Sequence, residues 1–465
     1  MPTHCSPDRM GFAPAAGRAV VAGFDGGMIT SDAGALLLGA TDRAIGLIRR
    51  FAACFADHRS ADQVEHGVAT LLSQRVFALA LGYEDLVDHD HLRHDPVLAA
   101  VAGKPVARRS DCAPLAGKST LNRLEHAPAG APTRYHKISH DAALIERLFV
   151  ELFLDAHRSP PEQIILDLDA TDDPLHGQQE GRFFHGYYGC YCHLPLYVFC
   201  GDHLLAAKLR RSNLDASAGA VEEVARIVTQ IRACWPQVRI VLRADSGFAR
   251  ETLMAWCEAN QVDYVLGLAR NARLVGEIGA ELALARAEAE RTGGPTRCFK
   301  DFRYQTRDSW SCVRRVVGKA EQLIAGSGEP SPNPRFVVTS LHAEDWAPKP
   351  LYEQLYCARG EMENRIKECQ LDLFADRTST RTMRANQLRL WFASMAYLLL
   401  AALRRIALPA TRLARATAGT IRLKLLKVGA LVRVSVRRVA IAMASGHPWQ
   451  REWVIAHRAL TAAAG

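Results

Sequence analysis

The sequence lacks the cysteine spacing of a zinc ribbon or a disulfide framework. It contains 12 cysteines among 465 residues, but no two of them form a C-x-x-C pair. Cys190, Cys192 and His193 form the only close cluster, and alternating small residues of a strand explain it better than a metal site. Free thiols in a reducing cytoplasm are therefore the expected state.

Long apolar runs are also absent. No uninterrupted apolar stretch reaches the roughly 18 residues that a membrane-spanning helix needs. The nearest candidate, MAYLLLAAL at 395–403, lies between Arg389 and Arg404 and is typical of a buried helix.

Acidic residues are scarce at the C-terminal end. From Arg384 to Gly465, fourteen Lys or Arg residues face a single acid, Glu452, which gives this end a net charge of +13. The whole chain carries +9, so the remainder is slightly acidic at 9 − 13 = −4. A basic end favours a polyanion as partner, usually DNA or RNA, with an anionic membrane surface as the competing option. We expect DNA and no membrane.

A smaller basic group lies in the first, mostly helical part of the chain. It consists of five residues around one predicted helix: Lys104, Arg108, Arg109, Lys118 and Arg123. A small helical module that touches DNA with a basic face is one interpretation, and plain surface charge is the other.

Strand and helix patterns alternate after residue 158. The β-branched, apolar run QIILDLDAT (163–171) predicts a buried strand, and two further strand patterns follow it by residue 212. Then come a helix, the strand RIVLRAD (239–245), a second helix and the strand VDYVLGLAR (262–270). The order β-β-β-α-β-α-β is that of the ribonuclease H-like fold, an α/β fold with a mixed sheet.

Changes in these patterns divide the chain into five predicted parts. Alternating apolar and polar residues follow the strand patterns and predict an inserted β-rich subdomain. The parts are a helical N-terminal domain (1–158), the first part of the core (159–270), the inserted subdomain (271–350), the last part of the core (351–403) and a basic, mainly helical C-terminal region (404–465).

The stretch LYEQLYCARGEMENRIKECQ (351–370) predicts a helix with one polar face. It has no proline and its charges alternate in sign. Residues three and four apart share a helix face, and the spacing puts five side chains in one stripe. They are Tyr356, Arg359, Glu363, Lys367 and Gln370. A solvated face with salt bridges is one interpretation, and a metal-binding acid between phosphate-binding groups is the other.

Carboxylates at strand ends favour the second interpretation. Asp167 and Asp169 stand two apart in the first strand, and Asp245 ends the fourth strand. These strands are neighbours in the ribonuclease H-like arrangement, so their acids can meet, and a following helix can add Glu363. Three such carboxylates repel one another until divalent cations neutralise them, and oxygen ligands suit Mg²⁺ or Mn²⁺. Two ions can activate a nucleophile and stabilise the leaving oxygen of a phosphodiester.

The segments DATDDP, RADSGF and YCARGEMEN resemble the three acidic blocks of DDE-type insertion-sequence transposases. The last block is similar to the Y-x₂-R-x₃-E-x₆-K signature of one transposase group, with Gln370 in place of the final basic residue and Lys367 one turn earlier. The acids are separated by 245 − 169 = 76 and 363 − 245 = 118 residues. The resemblance covers roughly 160–400, including the inserted region.

The resemblance implies a metal-dependent enzyme that cleaves DNA and transfers strands. Asp169, Asp245 and Glu363 would be the catalytic metal ligands for two Mg²⁺ or Mn²⁺ ions, and Tyr356, Arg359 and Lys367 would hold DNA phosphate. Asp167 is the alternative first ligand; Asp169 is preferred because Thr171 follows it as in the family. The expected partners are double-stranded DNA, as terminal inverted repeats and target, and a second copy of the chain on paired ends, in a bacterial cytoplasm.

Two other hypotheses remain open. The run DLDAT (167–171) also matches the D-x-D-x-T opening of haloacid-dehalogenase-type phosphatases, in which Asp167 would be the nucleophile and Asp169 the acid and base. A catalytically idle, DNA-binding transposase derivative is the non-enzymatic alternative.

Overall fold

A nine-stranded mixed sheet runs through the middle of the chain in the computed structural model, which describes residues 9–127, 133–324 and 330–464. Its strands are β1 (Gln163–Ala170), β2 (Leu196–Cys200), β3 (His203–Lys208), β4 (Arg239–Ala244), β5 (Asp263–Leu268), β6 (Thr296–Tyr304), β7 (Arg314–Ile324), β8 (Pro330–Pro332) and β9 (Arg335–Thr339). Their order is β3-β2-β1-β4-β5-β9-β7-β6, and β8 pairs with β7. The predicted α/β architecture with a large mixed sheet is confirmed.

The first and fourth strands are neighbours, as the sequence predicts. β1 and β4 pair in parallel from Gln163 opposite Arg239 to Leu168 opposite Ala244. β2 runs antiparallel to β1, and β5 runs parallel to β4. Because parallel strands end at the same edge of a sheet, the acids at the ends of β1 and β4 come to one edge.

The two faces of the sheet carry different helices. The helices Ala220–Cys234 and Glu251–Ala259 pack on one face, where Leu242 and Leu266 are buried. Leu351 and its neighbours pack on the other face, against Val241 and Val265. Since side chains alternate along a strand, the odd-numbered residues of β1, β4 and β5 point toward the segment that carries Glu363.

The strands between 271 and 350 do not form a separate subdomain, which corrects the expected layout. β9 pairs antiparallel with β5, and β7 with β9, so the inserted strands extend the core sheet beyond β5. Their apolar residues, including Val316 and Val338, join the same core as Leu266. The alternating pattern reveals a strand with two different faces, but it does not reveal which strand pairs with it.

The described residues form two compact units. One consists of Ala142–Leu371 and Ala375–Ser394 and contains the sheet. Its α-helices are Ala142–Asp155, Ala220–Cys234, Glu251–Ala259, Ala272–Glu277, Gly279–Thr292 and Gly360–Lys367. It also contains a small sheet of Asp173–Pro174, Phe183–His185 and Cys190–His193.

The other unit joins the residues up to Asp141 with 372–374 and 395–465. Its α-helices are Ala35–Ile45, Leu47–Ala52, Val68–Leu81, His89–Leu92, Pro96–Val101, Lys118–Glu125, Ala418–Ile421 and Gln450–Ala464. Its strands are Met10–Ala15, Arg18–Ala22, Ile29–Thr30, Phe55–Asp57, Ile138–His140, Ala430–Val434 and Val439–Met443. The last two form a hairpin within the basic region that was predicted to be mainly helical.

The apolar segment at 395–403 lies in the helix Met383–Ala407. Among the described residues, this helix alone has the length and composition to cross a membrane, yet 89% of its most apolar window is buried inside the protein. The prediction of a buried helix is confirmed. The eleven cysteines within the described ranges are free thiols.

Candidate active site

One cleft of about 580 Å³ is lined by Asp169, Asp245 and Glu363. Asp169 comes from the end of β1, Asp245 directly follows β4, and Glu363 lies on the helix Gly360–Lys367. The structure therefore brings together the three acids that the sequence singles out. Arg359, Lys367 and Gln370 line the same cleft.

The carboxyl group of Asp169 has a strongly perturbed pKa. Its Oδ1 accepts a hydrogen bond from the backbone N–H of Ala170 at 2.9 Å. The pKa of Asp169 is raised to about 7, mainly by burial and also by the charges of Asp245 and Glu363, while the charge of Arg359 opposes the rise. A buried carboxyl among like charges, beside a cleft, is typical of a functional site.

The pKa of Asp169 predicts a pH-dependent cost to the metal-free protein. The folded state holds the Asp169 proton up to about pH 7, whereas the unfolded chain releases it near pH 4. The stability that the protonated carboxyl contributes is therefore lost as pH rises from about 4 through 7. Asp169→Asn removes this titration, so its unfolding free energy should rise relative to that of the wild type between pH 4 and 8, by up to about 4 kcal/mol. Urea denaturation at several pH values measures the difference; one that stays constant with pH would contradict the prediction.

Asp245 is held by the turn that follows β4. Its Oδ1 accepts a hydrogen bond from the backbone N–H of Gly247 at 2.9 Å and caps the 3-10 turn Ser246–Phe248. Gly267 on β5 leaves the space for this turn, because a Cβ atom there would lie 2.8 Å from the backbone N of Ser246. The same Cβ atom would lie 2.5 Å from the hydroxyl of Tyr356.

Gly267→Ala is expected to reduce catalysis by moving these groups. Since a 2.8 Å contact with a backbone atom cannot persist, the Asp245 turn must shift. A misplacement of about 1 Å at a reacting group costs on the order of 100-fold in rate. The measurement is the rate of DNA nicking. Gly276→Ala is the matched control, since no atom lies within 4 Å of its new Cβ; equal rates for both variants would refute the argument.

The predicted helix at 351–370 exists, but it is irregular. Leu351–Tyr356 and Glu368–Asp372 are π-helical, Cys357–Arg359 is a 3-10 turn and Gly360–Lys367 is α-helical. These three kinds of turn differ in the number of residues per turn. Tyr356 packs 5.5 Å from the Tyr352 ring and does not line the cleft.

Arg359 lies between two of the acids. Its guanidinium is 3.4 Å from Asp169 Oδ2 and 2.7 Å from Glu363 Oε1. Across the described ranges, no three His, Cys, Asp or Glu side chains stand together as a ready-made metal cage. The donor set nevertheless fits a hard divalent cation, because three carboxylates face one cleft and two of them raise the pKa of the third.

The remaining polar residues of the predicted stripe differ in their contacts. Lys367 is exposed at the cleft, and no ion pair holds it within the described part of the chain. The Gln370 amide donates a hydrogen bond to the carbonyl of Asp172 at 3.0 Å. Gln370 stands where the transposase signature has a basic residue, and its side chain is thus engaged in a hydrogen bond to the backbone.

Asp167 does not line the cleft. It is 4% exposed, and its two carboxylate oxygens accept hydrogen bonds from Arg243 at 2.5 and 2.8 Å. A carboxylate held in this way is an ion-pair partner inside the protein. The geometry favours Asp169 over Asp167 as a ligand, and it gives no support to Asp167 as a phosphatase nucleophile.

Three aromatic or histidine residues at the cleft were not predicted from the sequence. His185, Tyr187 and Tyr188 all line it, and Tyr187 is 86% exposed. The Tyr188 hydroxyl donates a hydrogen bond to the carbonyl of Ala170 at 3.2 Å. The available signal was the run FFHGYYGCY (183–191), which places many aromatics around a glycine turn.

Comparison with known protein families agrees with this geometry. A family model described as transposase DDE domain group 1 matches residues 12–464, nearly the whole chain. None of the curated proteins compared with the chain matches it. Because the family match includes all three acids and the sheet that carries them, the chain belongs to the DDE transposase family.

Proposed function

We propose that this protein is the transposase of an insertion sequence, which binds terminal inverted repeats and catalyses metal-dependent DNA cleavage and strand transfer. The observation that carries the proposal is the convergence of Asp169, Asp245 and Glu363, from three separate elements, on one cleft. The strand order β3-β2-β1-β4-β5, with β2 antiparallel to β1, supports a ribonuclease H-like core.

Asp169, Asp245 and Glu363 would hold the divalent ions, Mg²⁺ or Mn²⁺ and two in number. Transposases of this family generally use divalent metals. Such ions, when bound, lower the pKa of water and offset charge on a phosphodiester. The carboxylates supply hard oxygen ligands from rigid elements, since Asp169 and Asp245 are each held by a backbone N–H.

Arg359 has two roles in this proposal. In the metal-free protein it offsets the negative charge of Asp169 and Glu363. With DNA in the cleft, its planar guanidinium is suited to bind a phosphate through two parallel hydrogen bonds. Lys367 adds an exposed cation at the same cleft.

Tyr356 has a supporting role rather than a direct contact with DNA. Its hydroxyl occupies the space above Gly267, next to the turn that holds Asp245. Burial raises the pKa of Tyr356, so the phenol stays neutral near pH 7. We therefore propose that Tyr356 positions Asp245.

The partners follow from charge and from the family. The hairpin in the basic region exposes Arg433, Arg437 and Arg438, which suit contacts with the DNA backbone. We further propose that two copies of the chain act on paired DNA ends, in the cytoplasm.

The test is cleavage of a DNA substrate that carries the ends flanking this reading frame, with and without Mg²⁺. The proposal predicts cuts at these ends with Mg²⁺ and none with a chelator. Binding without cutting, with either Mg²⁺ or Mn²⁺, would instead support the idle DNA-binding derivative. Hydrolysis of a simple phosphomonoester that depends on Asp167 would support a phosphatase.

A further inference from the structure

A second cleft, of about 340 Å³, lies in the unit that contains the first 141 residues. It is lined by cationic side chains together with Thr120, Gln63 and Tyr135. The cations are Arg59, Arg123, Arg134 and Lys137. They come from three places in the chain, namely the turn after Phe55–Asp57, the helix Lys118–Glu125 and the segment before Ile138–His140.

Most of the cationic side chains of this cleft have no acidic partner among the described residues. Arg59 is bound by both carboxylate oxygens of Asp57, at 2.8 and 2.7 Å. Arg123, Arg134 and Lys137 have no carboxylate partner among the described residues, and no acid lines the cleft there. Cations that converge without an acid repel one another, so the site favours an anion.

The neighbouring basic residues behave differently. Lys104 forms an ion pair with Glu65, and Lys118 forms one with Asp90 at 3.0 Å. Arg109 also lies 3.9 Å from Glu65. Most of the basic group predicted from the sequence is therefore paired within the protein, and Arg123 is the member that faces the second cleft.

We propose that this second cleft, which shares no lining residue with the catalytic cleft, binds phosphodiester groups of duplex DNA; this rests on the proposed function. Arg, Lys, Thr, Gln and Tyr are the side chains that contact DNA phosphates. Tyr135 is 63% exposed, and the guanidinium of Arg134 lies 5.5 Å from its ring centre, so an exposed phenol and a cation stand next to each other at this cleft. Such contacts fix the position of the DNA and carry no sequence information.

The experiment measures duplex binding by fluorescence anisotropy over a series of salt concentrations, without divalent metal. Arg123→Gln and Lys137→Gln should each lower the slope of log K against log salt by about 1, and the double variant by about 2. The loss of binding affinity should be the same for duplexes that carry the terminal repeats and for duplexes of random sequence. Arg286→Gln is the matched control, because it removes one charge from an exposed ion pair with Glu290 and Arg286 does not line the second cleft.

The outcomes separate this inference from the proposed function. An unchanged slope in the double variant, or no duplex binding by the wild type, would overturn the inference. The inference would also be overturned if a nucleoside monophosphate or inorganic phosphate displaced the duplex at a concentration lower than that of the duplex. Such competition would identify the cleft as a small-molecule site. Lowered slopes without any cleavage by the wild type would overturn the proposed function alone. All substituted side chains are exposed, and a thermal melt checks that each variant is folded.

Discussion

Glu363→Gln is expected to abolish metal-dependent DNA cleavage while DNA binding survives. The substitution keeps the shape of the side chain but removes the charge that a divalent cation needs from its ligand. The side chain is 43% exposed, so the fold should not change. Without this ligand the cation that offsets charge at the reacting phosphate is held poorly, and losing one such stabilising interaction costs about 10²- to 10³-fold or more in rate. Nicking and binding are measured on the same end substrate.

The matched control for this prediction lies on the same helix. Glu361 is exposed and does not line the cleft, so Glu361→Gln removes an equal charge from another face. It should cut at close to the wild-type rate. Normal cutting by Glu363→Gln would show that the assignment of the three acids is wrong.

Asp167→Ala should have the largest effect on stability. Asp167 and Arg243 form a buried bidentate pair, and each side chain is only 6% exposed. Removing one partner leaves the other charge buried and uncompensated, which costs about 3–5 kcal/mol. Among the described residues, Arg243 would keep its hydrogen bond to the carbonyl of Leu355 and lose both bonds to a carboxylate. Urea denaturation measures the loss.

Two comparisons make this prediction specific. Asp169→Asn should not destabilise the metal-free protein at pH 8, because burial and like charges already penalise its carboxylate. The double variant Asp167→Ala with Arg243→Met should recover part of the lost stability, since no buried charge is then left alone. If Asp167→Ala melts like the wild type but cannot cut DNA, Asp167 rather than Asp169 belongs to the active site.

The sequence alone determined the elements and acids of the site. Apolar runs predicted the strands, and Asp169 and Asp245 stood at the ends of two of them, where burying a charge is costly without a partner or a metal. The helical pattern at 351–370 placed Arg359, Glu363, Lys367 and Gln370 on one face, and all four line the cleft. These features depend on local periodicity, which can be read directly from the sequence.

Only the tertiary structure decided which of the chemically similar residues face the site. Asp167 and Asp169 stand on the same face of β1. Arg243 on the neighbouring strand binds Asp167 and leaves Asp169 at the cleft. The inserted strands joined the core sheet, and Glu65 and Asp90 neutralised cations that looked free. In each case the partner is distant in sequence, and pairing between distant residues leaves no periodic signal.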